Sequence, residues 1–84
     1  MKYRLVYTHR AIRDIDALDT SVKQRIGKIL LRYESDPLPH AEPLKRSELG
    51  SYRFRIGDYR VVFDIEGDEI VILRVGHRRD IYKR

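Results

Sequence analysis

The chain has 84 residues, enough to close one hydrophobic core and no more, so residues 1–84 are expected to form a single domain. A net charge of +5 and a pI near 9.7 suit a polyanionic partner, and the absence of cysteine excludes a disulfide framework or a thiolate zinc site. The longest apolar run, Ile70 to Leu73, falls far short of the ~20 residues of a membrane helix, and the N-terminus has no signal-peptide core; a cytoplasmic domain without membrane, metal or cofactor is expected.

Residues 2–7 alternate as a strand, with Tyr3, Leu5 and Tyr7 on one face. Ala11, Ile12, Ile15 and Leu18 then recur as one face of a short helix. Ser21, with Gln24 three residues on, reads as a capping box for a second helix. The buried stripe of that helix is Val22, Ile26, Ile29, Leu30 and Tyr33. Gly27 is unfavourable inside a helix by about 1 kcal/mol, which suggests a close approach of the two helices there. Three prolines between residues 36 and 44 end the helix and predict an ordered loop.

After Gly50 the period becomes two. Tyr52, Phe54 and Ile56 alternate with Arg53 and Arg55; Tyr59, Val61, Phe63 and Ile65 alternate with Arg60, Val62 and Asp64. Gly57-Asp58 reads as a two-residue type II′ hairpin turn and Gly67-Asp68 as a second turn, with a third strand over residues 69–75 ended by Gly76. The expected fold is α+β: an N-terminal strand, a helical hairpin, then a three-stranded antiparallel meander, forming a four-stranded sheet with the helices on one face.

A two-residue turn puts Arg55 opposite Arg60, with Arg53 on the same sheet face, where all three are expected to face solvent. Like charges directly opposite are destabilising, and a bound anion would neutralise them; solvated surface arginines compensated by acids such as Asp64 are the plainer alternative. The basic charge is also blocked: residues 45–60 carry five bases and two acids, and residues 74–84 five bases and one acid. In the last block, Arg78 and Arg79 suit bidentate phosphate contacts, Tyr82 offers a ring and a hydroxyl, and His77 is the only residue type there whose unperturbed pKa lies near neutrality. Lys45, Arg46, Lys83 and Arg84 are further candidate contacts to RNA or ribosome.

The stretch Y-R-F-R-I-G-D-Y-R-V-V-F-D-I (52–65) followed by I-V-I-L-R-V-G-H-R-R-D-I-Y (70–82) resembles the RelE-type toxins of the RelE/ParE superfamily, and L-K-R-S-E-L-G (44–50) fits the same pattern. The resemblance implies a type II toxin that cuts messenger RNA in the ribosomal A site, without metal, through attack of a ribose 2′-hydroxyl on the adjacent phosphate. It also implies a cognate acidic, RelB-like antitoxin. Arg53 and Arg55 fall where the best-known member has lysines, Arg60 on the family's sheet arginine, Arg78 on its post-strand arginine, and Tyr82 on its tail tyrosine. An arginine at position 55 cannot serve as general base; the resemblance leaves His77, Tyr82, or catalysis by positioning and electrostatics alone. A ParE-like inhibitor of DNA gyrase and a non-toxic basic RNA-binding domain remain the alternatives.

Overall fold

A computed structural model describes residues 2–45 and 48–82. The chain runs β1 (Arg4–Tyr7), α1 (His9–Asp16), α2 (Thr20–Tyr33), a 3₁₀ turn (Leu38–His40), β2 (Glu42–Pro43), β3 (Tyr52–Ile56), β4 (Tyr59–Glu66) and β5 (Glu69–His77). The strands form one sheet in the order β1-β5-β4-β3-β2. β1 is parallel to β5 and the other pairs are antiparallel. The expected meander is therefore present, but the sheet has five strands and not four.

The extra strand comes from the proline-rich segment. Glu42 pairs with Arg53 and Pro43 with Tyr52. A proline is tolerated in a strand only at an edge or a bulge, and a two-residue pairing is too short to show alternation. β5 also runs two residues further than expected, so Gly76 lies inside the strand, paired with Arg60.

Thr8 starts α1. Its Oγ1 accepts from the Ala11 N–H at 3.2 Å and donates to the Ile72 carbonyl at 2.9 Å, fixing the helix to β5. Ala11 is fully buried but Ile12 is 45% exposed, so the apolar stripe of α1 is narrower than the spacing suggested. α2 starts at Thr20 after Asp19, which places Ser21 inside the helix and removes its capping role. No neighbour lies within 4 Å of a Cβ built on Gly27, so the expected helix–helix approach there does not occur.

Ile26 and Leu30 of α2 meet the sheet in a core containing Phe54, Ile56, Val61, Phe63, Ile70, Ile72 and Val75. Phe54 and Phe63 stack with centroids 4.1 Å apart, and Tyr33 tilts onto Phe54 at 4.9 Å. Tyr52 is only half-buried, packed on the margin of this cluster. On the opposite sheet face a bulge in β5 breaks the register with β4 between Val62 and Phe63. Gly50 lies over Val62 and Leu73 there; a Cβ at Gly50 would stand 2.8 Å from a methyl of each. Among the described residues, no helix is long and apolar enough to cross a membrane.

Candidate functional site

Gly57, at φ +59°, occupies a turn position that disfavours other L-residues. The two-residue loop pairs Ile56 with Tyr59 and sets Arg55 directly opposite Arg60, as the alternation required. β2 then adds an acid that the sequence reading missed. Arg53 Nε donates to Glu42 Oε1 at 2.9 Å, and Arg55 Nη1 lies 3.7 Å from Glu42 Oε2. The carboxylate that offsets the arginine repulsion is thus Glu42. Asp64, the expected compensator, instead accepts the Ser51 N–H at 2.7 Å.

The tail folds back over this end of the sheet. The Arg78 N–H donates to the Asp58 carbonyl at 2.7 Å, and its guanidinium Nε lies 3.6 Å from Asp58 Oδ1. Ile81 is 1% exposed and packs on Gly76; a Cβ there would lie 3.3 Å from Ile81 Cδ1. This anchor delivers Tyr82 to the arginine face, where Arg53 Nη1 donates to its Oη at 3.0 Å.

Arg60 departs from the expectation that all three sheet arginines face solvent. It is 7% exposed, and its Nη1 donates to the Gly57 and Tyr59 carbonyls, each at 2.8 Å. The reason is the tail: Ile81 sits on Gly76, the cross-strand partner of Arg60. Burial, with the charges of Arg55, Arg53 and Arg78, holds the Arg60 guanidinium below its ordinary pKa, and Tyr82 opposes the shift. Arg53 moves the other way, raised by its hydrogen bonds to Tyr82 and Glu42. The result is one fixed, buried cation ringed by more exposed ones.

The remaining expected residues are not gathered here. His77 pairs with Tyr59 on the helix side of the sheet, edge to face at 5.4 Å, and its Nδ1 accepts the Arg79 N–H at 3.1 Å. In the neutral ring this leaves the proton on Nε2. Arg79 and Lys45 are exposed. The expectations for Arg46, Lys83 and Arg84 lie outside the described residues.

Residues 5–82 match the family described as the ParE toxin of the type II toxin–antitoxin system parDE. The chain belongs to the RelE/ParE toxin superfamily. This toxin is 34% identical over 87 residues to Toxin RelG of Mycobacterium tuberculosis, with all of both chains covered. It is 48% identical over 83 residues to Toxin RelE3 of Methanocaldococcus jannaschii, covering 94% of each. Its fold is similar to a chain in the toxin–antitoxin complex RelBE2 from M. tuberculosis, with a TM-score of 0.84 and 30% identity over 93% of this chain and all of that one. The toxin is accordingly of the type II toxin–antitoxin class.

Proposed function

We propose that this toxin cleaves messenger RNA in the ribosomal A site by attack of a ribose 2′-hydroxyl on the adjacent phosphate. The observation that carries the reading is the convergence of Arg53, Arg55 and Arg60 on one sheet face, with Tyr82 joined to Arg53 by a hydrogen bond and Arg78 held at the end of the face by Asp58. In the reaction the O2′–P bond forms and the P–O5′ bond breaks. The pentacoordinate phosphorane between them carries more charge than the diester, so fixed cations stabilise it preferentially. Arg60, already held by two carbonyls, suits that role without reorganising.

The 2′-hydroxyl proton needs an acceptor and the departing O5′ a donor. Arg53 and Arg55 stay protonated. Glu42, the carboxylate lying between them, is the acceptor on this face. The Tyr82 hydroxyl accepts from Arg53, which leaves its own proton directed away and available to the leaving oxygen. His77, on the opposite sheet face, takes no part in either transfer. The product pair is a 2′,3′-cyclic phosphate and a 5′-hydroxyl. An acidic antitoxin would neutralise the cationic face, in keeping with the net charge of +5 and with similar chains solved as toxin–antitoxin complexes.

A second reading, inhibition of DNA gyrase, is favoured by the ParE description of the matched family. Induction in growing cells separates the two. Growth arrest with cut messages and normal plasmid supercoiling is expected; arrest with intact messages and relaxed plasmid would favour gyrase.

A further inference from the structure

Beside the tail that carries Tyr82, a cleft of about 460 Å³ opens between α1, the C-terminal end of β5 and residues Asp80 and Ile81. Its walls carry Arg10, Arg13 and Arg74, with Tyr59 and His77 edge to face along one side. Asp14 sits among the arginines but is already engaged: its Oδ2 accepts from Arg74 Nε at 2.8 Å and the Val75 N–H at 3.0 Å, and its Oδ1 from Arg10 Nε at 3.3 Å. One carboxylate thus serves two guanidiniums. Arg13 has no ion pair or hydrogen bond among the described residues.

Three guanidiniums, the saturated Asp14 carboxylate, Asp80 on the tail side and an aromatic wall line a cleft of nucleotide size, in which the arginines outnumber the acids. We propose that this cleft is a second RNA subsite, taking a backbone phosphate on Arg13 and Arg10 and a base against Tyr59 and His77. It rests on the ribosomal reading above and extends it. The tail, residues 78–82, would be held between the strand scission face and a docking strand of RNA on the other side. His77 thereby acquires a role in binding, on the surface where it stands.

The test uses charge reversal at Arg13, which leaves the Asp14 network intact, and Lys28→Glu on the exposed face of α2 as an equal change of charge elsewhere. Arg13→Glu should weaken ribosome binding about tenfold or more and lower the salt slope of log K by roughly one or more, while Lys28→Glu changes neither by a comparable amount. In parallel, a five-nucleotide oligoribonucleotide titrated into the isolated toxin should shift the His77 ring resonances in the wild type and not in Arg13→Glu. Equal effects of the two reversals would overturn the proposal in favour of net charge. An unmoved His77 signal would overturn it whether or not the toxin cleaves ribosome-bound message, which keeps its failure distinct from that of the cleavage reading. Loss of antitoxin affinity in Arg13→Glu with RNA binding intact would also overturn it, assigning the cleft to an acidic peptide.

Discussion

In the proposed reaction, Glu42 and Arg78 are the two side chains whose replacement is expected to tell most. Glu42→Gln keeps an oxygen for Arg53 but cannot accept a proton, so single-turnover cleavage should fall on the order of 100-fold or more with ribosome affinity nearly unchanged. Unaltered cleavage would place the base elsewhere. Arg78→Ala should likewise lose roughly 100-fold or more in cleavage and little in binding, because its cation meets charge that grows only during reaction. Equal losses of binding and cleavage would make it a docking residue. Arg60 is less clean a target, because removing its guanidinium also strips two carbonyls of their donor. The shared sheet face of Arg53, Arg55 and Arg60 was legible in the sequence, because period-two alternation and an even turn fix it. Glu42 was hidden in a proline-rich loop whose two paired residues leave no periodic trace, and the burial of Arg60 depends on a tail fold that no local pattern encodes.

Between elements, the clasp of α1 on β5 is the most testable feature. Burial opposes ionisation of Asp14, but the hydrogen bonds from Arg74 and the Val75 N–H, the Arg74 charge and Arg10 outweigh it and hold the carboxyl below its ordinary value. A depressed folded pKa contributes stability that is complete above the unfolded value, about 3.9, and is lost as pH falls through the folded one. Asp14→Asn should therefore lower stability at pH 7 by about 1–3 kcal/mol and flatten the acid limb below about pH 4. Each kcal/mol moves the melting temperature by about 4–8 °C in a domain this small, so melts from pH 7 down to pH 2–3 decide it. At the β3–β4 turn, Gly57→Ala should cost about 1–2 kcal/mol from its left-handed φ, and its Cβ would press on the Arg25 guanidinium at 2.9 Å. A melt unchanged from wild type would mean the turn relaxes freely. The helix pair and the meander could be read from periodicity, but the order lacked β2. The helix starts could not: Thr8 caps through a tertiary contact to Ile72, and Asp19 makes no side-chain cap at all.

At the scale of the whole molecule, the helices bury one face of a five-stranded sheet and leave the other to the arginines, the Gly50 loop and the tail. A net charge of +5 on so small a core makes the toxin a natural target for an acidic partner. Binding only the folded state, such a partner at 1,000 times its Kd would add about 4 kcal/mol, readable as a rise in melting temperature. The most direct measurement of the central claim is end-group analysis of a short message on programmed ribosomes after incubation with the toxin. A cut within the A-site codon is predicted, with a 2′,3′-cyclic phosphate on the upstream fragment and no cut when that ribose is 2′-deoxy. Intact message, or cleavage that survives the 2′-deoxy substitution, would contradict it.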